Sequence, residues 1–593
     1  MQIYKNARIY TSAADPAGKA AVKADGRPAE NTSAEVIVTE GRDIVYAGDL
    51  KGAQQYMPEN ACGCESPAGS GADCGAAADN AVQVYDLAGK TILPGFIDSH
   101  IHPGVCSASS WHVKLPWTED AEELLAFVGQ YVNEHPKEEL PFIYFEYYPT
   151  SMFDENGPNK EMLDAVVSDR PVLCQDFGEH LCWINSKMLE LLGVDKDTPD
   201  PSNLEIFVRD EQGNPTGWVK EMAWTHFADN MFNAIGWQPP EELTEDRMKP
   251  FFDLMRESGI TALFDAVIET DRQIQTVYEM DKAGKLHLYY DAAVRFWTYK
   301  DLPEKIAKLR EYSELYTTEH IKFNTMKLFL DGTNESGNSA SLHEHIHDPG
   351  NYGEIMMETD ELTKCFVLCN KEGLDLHIHM VGDRAFRVGC DAVEAAQKIA
   401  AENGEPWVCQ PVFAHCEVVD PSDMGRPAQL GIDINWSCHW SGGYFGEEAM
   451  NYYTEEKWRR MYQFSQMLES GAMVAFSSDV VTAYEMHRAY PFFGMQVAAT
   501  RIDPEFPLDP EKYPDSMRPE ASARFDLATL LKGYTISGAV QLRWQDKIGS
   551  LESGKRANLI VVDRDPFETP LNQLKDIRVE AVVFDGELVQ GTL

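Results

Sequence analysis

Thr91-Ile92-Leu93-Pro94-Gly95-Phe96-Ile97-Asp98-Ser99-His100-Ile101-His102-Pro103 is a short apolar run that ends in two histidines two residues apart. In a strand over residues 96–102, alternate side chains share a face, so Asp98, His100 and His102 project together. Two imidazoles on one face at the C-terminal end of a strand can share a metal ion. Catalytic zinc needs a few nitrogen or oxygen ligands and an open position for water. A bare His-x-His on a buried strand is more often coincidence than a metal site, so the surrounding chain decides.

Working outward, seven further β runs are expected: Ala262–Ile268, His287–Trp297, Asn324–Leu330, Asp375–His379, Pro411–Val418, Gly431–Ser437 and Met473–Ser478. With Phe96–His102 they make eight, the number a closed (β/α)8 TIM barrel requires, and the stretches between them read as helical, which gives an α/β fold class. About 160 residues separate the first two strands, far beyond an ordinary connection, so an inserted subdomain is expected over about 110–250. Short β runs at both ends (Ile3–Ile9, Glu35–Val38, Asp43–Ala47, Ala81–Asp86; Ala557–Asp563, Val579–Phe584) suggest a composite β-sandwich built from both termini. The domains read as residues 1–90 and 541–593 for the sandwich and 91–540 for the barrel, with a Cys/Gly/Ala-rich insertion at about 58–80.

Numbered along the barrel, the strands carry polar residues at their C-terminal ends: His100 and His102 on the first, Lys327 on the fourth, His377 and His379 on the fifth, His415 on the sixth and Asp479 on the eighth. In barrel enzymes that end carries the chemistry.

The formal net charge of −45, from 96 acidic and 51 basic side chains, repels phosphate backbones and anionic lipid. The expected partner is a small-molecule substrate, with no nucleic acid and no membrane; a homodimer is left open. The start Met1-Gln2-Ile3-Tyr4-Lys5 does not read as a signal peptide, and the cysteines sit mostly singly in apolar runs, so the expected location is cytoplasmic. Cys62, Cys64 and Cys74 fall in the insertion, which reads as a surface segment before it reads as a metal or redox site. The run His343-Glu344-His345-Ile346-His347 is read as a rim loop.

These pieces carry a family resemblance. Leu93-Pro94-Gly95-Phe96-Ile97-Asp98-Ser99-His100-Ile101-His102, Cys182-Trp183-Ile184-Asn185-Ser186-Lys187, Pro215-Thr216-Gly217-Trp218-Val219-Lys220-Glu221, His379 with Gly382-Asp383-Arg384-Ala385, Ser478-Asp479 and Ile548-Gly549-Ser550-Leu551-Glu552-Ser553-Gly554 are similar to motifs of the amidohydrolase superfamily. Within it the chain resembles the amidohydrolase-3 branch of YtcJ-like proteins and N-substituted formamide deformylases. The resemblance implies a metal-dependent hydrolase in which His100, His102, His379 and His415 are ligands and Asp479 is the eighth-strand aspartate. Lys327 sits where many relatives carry a carboxylated lysine that bridges two metals; Glu221 is the other candidate for that carboxylate, and the two are not exclusive. His180 matches an Asp-Gly-His element of the family and is expected to contact substrate; Trp111 and Trp436 are candidates for an aromatic pocket.

The expected activity is hydrolysis of an amide-type C–N bond in a small molecule. One or two divalent metals, zinc first, acidify a water, and Asp479 relays its proton. The alternatives are a deaminase, ester hydrolase or isomerase of the same superfamily, or a non-catalytic regulatory homologue.

Overall fold

The computed structural model describes residues 1–593 apart from 14, 16, 21–22, 24–32, 58–81, 119, 155, 238–241 and 444–447. Eight parallel strands follow one another in chain order: β1 (Phe96–Ile101), β2 (Ile260–Asp265), β3 (Tyr289–Arg295), β4 (Ile321–Phe329), β5 (Asp375–Met380), β6 (Pro411–His415), β7 (Asp433–Ser437) and β8 (Met473–Ser477). Every residue of β1, β2 and β5–β8 is buried, because the helices cover one face and the barrel interior the other.

The seam between β8 and β1 closes the barrel. The Asp479 N–H donates to the His100 carbonyl at 2.9 Å and the His102 N–H to the Val480 carbonyl at 3.3 Å. Asp98 accepts the N–H of Ser478 at 3.1 Å and its O–H at 2.6 Å. Asp98 therefore fastens the seam beside the two histidines.

The expected strands are all present, with shifted ends. β2 and β6 end three residues early and β4 starts three early; β6 stops at His415 and does not run on to Val418. His415 (φ 72°) and Cys416 (φ 42°) lie in the left-handed region, where a ladder cannot continue. The Cys416 N–H turns back onto the Met380 carbonyl at 2.7 Å.

Both chain ends share one eight-stranded sheet. Thr91–Pro94 pairs antiparallel with Leu559–Val562, joining the N-terminal strands to Val579–Phe584 and Glu587–Gly591. Tyr4, Ile9, Ile37 and Ile44 pack in one cluster with Leu559, Val561, Ala581 and Val583, so neither end buries its apolar face alone. Between β1 and β2 a separate six-stranded sheet runs in the order Ile206–Arg209, Pro215–Lys220, Leu181–Ile184, Val172–Asp176, Ile143–Tyr148, Val113–Lys114. Among the described residues no helix is long and apolar enough to cross a membrane, and the nine described cysteines are buried and free. The readings of Cys62, Cys64 and Cys74 fall outside the described residues.

Candidate metal centre

His100, His102 and Asp479 meet at the seam. Nε2 of His100 is 3.3 Å and Nε2 of His102 is 3.2 Å from Asp479 Oδ1, and His415 Nδ1 is 3.4 Å from Asp479 Oδ2. His379 joins through His415, with ring centres 4.6 Å apart. The amine of Lys327, fully buried on β4, lies 3.3 Å from His100 Nε2. Five strands thus bring together the residues the sequence placed at their ends. The turns that aim two of them are strained: Asp479 has φ 53° and His415 φ 72°, conformations that side-chain-bearing residues keep only when the surroundings enforce them.

The electrostatics suit a cation. Burial first, then neighbouring charges, hold the imidazoles of His100, His379 and His415 well below their ordinary pKa, so they are neutral lone-pair donors at neutral pH. Burial pushes Asp479 up, but the contact with His102 and the charge of Lys327 outweigh it, leaving the carboxylate ionised. Burial lowers the Lys327 amine to about 7. Nε2 of His379, Nδ1 of His415 and Oδ1 of Asp479 are buried without a hydrogen-bond partner among the described residues. Ligands 2.0–2.1 Å from one tetrahedral ion lie about 3.3 Å from each other, and the separations of His100 and His102 from Asp479 match that spacing. The donor set therefore fits a divalent metal.

His377, on the same face of β5 as His379 and expected from the sequence to support the ligands before ligating itself, touches His100. Its Nε2 is 2.9 Å from His100 Nδ1, a contact that fixes the His100 ring and leaves Nε2 facing Asp479. Trp440, one of the tryptophans that follow barrel strands, stacks its ring on His415 at 5.2 Å and 27°. Trp436 is not brought to the histidines. It pairs in register with Phe476 and packs fully buried on Phe464 and Phe525, on the opposite strand face from Ser437. Trp111 packs on His112 and Tyr144 within the inserted region.

The inserted region delivers His180. Asp176 accepts the N–H groups of Gly178 at 3.1 Å and Leu181 at 2.7 Å, building the tight turn that carries His180. The His180 ring lies 5.6 Å from that of His379. Glu221, in left-handed backbone (φ 52°), is placed behind it: Oε2 is 2.6 Å from His180 Nδ1, and Oε1 accepts from Ser336 Oγ at 3.1 Å. Burial lowers His180, but the charge and hydrogen bond of Glu221 outweigh it and raise the ring to about 9. His180 is therefore an imidazolium at neutral pH. Glu221 reaches the cluster through His180, while Lys327 touches it directly.

The motif after β5 builds the floor of the site. Asp331 accepts the N–H groups of Ala340, Val381 and Gly382, each at 2.9 Å. A Cβ at Gly382 would lie 2.0 Å from the Ala340 carbonyl oxygen, which accounts for glycine there. Asp383 accepts from the Leu342 N–H and Lys457 Nζ, both at 2.9 Å. His345, in the His-rich loop, is buried against Tyr452 and does not join the cluster.

The model of the Amidohydrolase family matches residues 83–590. The chain is similar to the exoenzymes regulatory protein AepA of Pectobacterium carotovorum subsp. carotovorum, 26% identical over 479 residues (80% of this chain, 92% of the relative). It is similar to the N-substituted formamide deformylase of Arthrobacter pascens, 26% identical over 536 residues (87% and 91%). Among solved structures it resembles an uncharacterized metal-dependent hydrolase from Pyrococcus horikoshii OT3, with TM-score 0.63 and 22% identity over 96% of this chain and 99% of that one; this likeness speaks to the fold.

Proposed function

We propose, from the premise that this chain belongs to the amidohydrolase family, that it is a metal-dependent hydrolase of an amide-type C–N bond in a small molecule. The observation that carries the reading is the convergence of His100 Nε2, His102 Nε2 and Asp479 Oδ1 in a buried site. His100, His102, His379 and His415 would hold one or two divalent ions, zinc first because imidazole donors suit it. When bound, the ion supplies Lewis-acid charge that acidifies a water and polarises the scissile carbonyl.

The chain's own residues do the rest. Asp479, ionised and facing the ligands, accepts the proton of the attacking water and returns it to the leaving nitrogen. The His180 imidazolium, held at Nδ1 by Glu221, presents Nε2–H to the carbonyl oxygen as negative charge develops. Trp440, stacked on His415, restricts water on that side. Purified protein assayed for metal content and then against N-formyl and N-acetyl amines tests the reading; ammonia release from an amidine-type carbon without amide cleavage would replace it with a deaminase. The first relative's name describes a regulatory protein. Against that reading here stand the buried, unpartnered ligand atoms, which a scaffold has no need to keep.

Two expectations follow from the site. A neutral amine can take up carbon dioxide to become an anionic oxygen donor, and burial of Lys327 favours that form. Lys327→Ala should lower the metal-to-protein ratio, with partial rescue by a short added carboxylic acid. An unchanged ratio there, with a loss in Glu221→Ala, would transfer the role to Glu221. For His180, the folded pKa is raised, so the charged form is present below about 9 and disappears above it. The kcat/KM profile should have an alkaline limb near pH 9 that Glu221→Gln moves to lower pH. A limb that stays in place would assign it to another group.

A further inference from the structure

Arg295, the last residue of β3, is the one arginine among the described residues with neither a hydrogen bond nor an ion pair to another of them. In a chain with 96 acidic and 51 basic side chains, a cation without a carboxylate is out of the ordinary. The first carboxylate downstream is committed elsewhere: Asp301 accepts the N–H groups of Trp297 at 3.0 Å and Thr298 at 2.6 Å. Strand register places the arginine. Arg295 pairs with Lys327 on β4, and Lys327 with His377 on β5. Register partners in a parallel sheet point to the same face. Lys327 and His377 both contact His100, so that face is the barrel interior at its C-terminal end. Arg295 therefore projects into the mouth of the candidate metal centre, half-buried where Lys327 is fully enclosed.

Aromatic rings, not acids, hold the guanidinium. Its central carbon lies 4.9 Å from the centre of the Trp297 ring and 5.9 Å from that of Phe329. The two rings are themselves stacked, at 5.9 Å and 29°. The Phe329 ring is in turn 5.0 Å from that of His379, so one ring separates Arg295 from a candidate metal ligand. Ring contact positions a guanidinium without using its five N–H donors. Those donors form a planar fork that fits a carboxylate through two parallel hydrogen bonds. The fork is in place and lacks only its anion, which a substrate entering the mouth can bring.

We propose that Arg295, held on Trp297 and Phe329, binds a carboxylate of the substrate and so selects small amides that carry one on a short tether from the scissile bond. The turnover part rests on the amide-hydrolase reading; the binding part does not. The protein's overall negative charge repels anions at long range, so this selection comes from a short-range, bidentate contact. Arg295→Lys would keep the charge and lose the fork.

The test uses the metal-loaded enzyme with N-acetylglycine, N-acetyl-β-alanine and N-methylsuccinamate, each beside an uncharged partner in which an isopropyl group replaces the carboxylate. For the best-cleaved acid, Arg295→Met should lower kcat/KM about tenfold or more beyond its effect on the uncharged partner, the scale of a charged hydrogen bond. Arg295→Lys should fall between, and it carries the comparison if thermal unfolding shows Arg295→Met to be poorly folded. A purely structural role would move both members of a pair alike. The keto acids with CH2 in place of the amide N–H (4-oxopentanoate, 5-oxohexanoate and 4-oxohexanoate) cannot be cleaved there, and their binding is read by calorimetry. The tightest should bind the unaltered enzyme about tenfold or more better than Arg295→Met; a carboxylate held by the metal alone would bind both equally. Keto-acid affinity that the substitution leaves in place overturns the subsite whatever is cleaved. Amide cleavage with equal losses across each pair overturns the subsite and leaves amide hydrolysis standing. Keto-acid binding that depends on Arg295, with no amide cleaved, supports the subsite and overturns the hydrolase reading.

Discussion

His100→Ala and His102→Ala are each expected to lose bound metal and turnover together, with kcat/KM down about a thousandfold or more. Each removes an imidazole whose Nε2 lies within 3.3 Å of Asp479 Oδ1. Lewis-acid stabilisation is worth several kcal/mol, and each 1.36 kcal/mol is a factor of ten in rate. The two variants should differ in stability. His100 is fully enclosed and touches His377 and Lys327, so its removal leaves both without their partner. His102 sits at the mouth, 8% exposed, and its loss leaves a smaller void. Metal analysis with thermal unfolding separates the effects: both should be metal-poor, and His100→Ala should melt lower. Full metal content with near-normal turnover in either would end the assignment of that residue.

How far the sequence carried this reading depends on distance along the chain. The barrel strands were legible because strands covered on both faces read as apolar runs, and the ligands were legible because they end those runs. The strand ends were less so: the left-handed turn at His415 is set by the contact of Cys416 with Met380, which no local propensity announces. Face parity separates Trp436 from Trp440. Ser437 and Ser477 face each other across β7 and β8, which puts Trp436 and Phe476 on the helical side, while Trp440 lies past the strand and is free to reach His415. The contact of Glu146 with Thr482 could not be read at all: the two lie 336 residues apart, and only the docking of the inserted region on the loop after β8 brings them together. Glu221 is an intermediate case: its motif was visible, but its service to His180 depends on two turns meeting in space.

The other large effect concerns Asp479. Its position is set by backbone as much as by side chain: the N–H holds the His100 carbonyl at 2.9 Å, and φ of 53° swings the carboxylate toward His102 and His415. Asn keeps the size, the backbone contact and an oxygen that can face the ligands, but it cannot take up a proton at neutral pH. Asp479→Asn should therefore keep the fold and at least one metal while kcat falls on the order of a hundredfold to ten-thousandfold, the scale of a lost general base. The pH profile gives the sign. The folded carboxyl is held below its ordinary range, so the basic form is present at neutral pH and disappears only on acidification. The acidic limb of kcat should vanish in the variant, except for whatever part reports protonation of the histidine ligands, which is recognised because it follows metal loss. A variant with full metal and unaltered turnover would mean that the proton goes elsewhere. The next candidate acceptor is His377, neutral by burial and already in contact with His100, and a further drop in His377→Ala on the Asp479→Asn background would identify it.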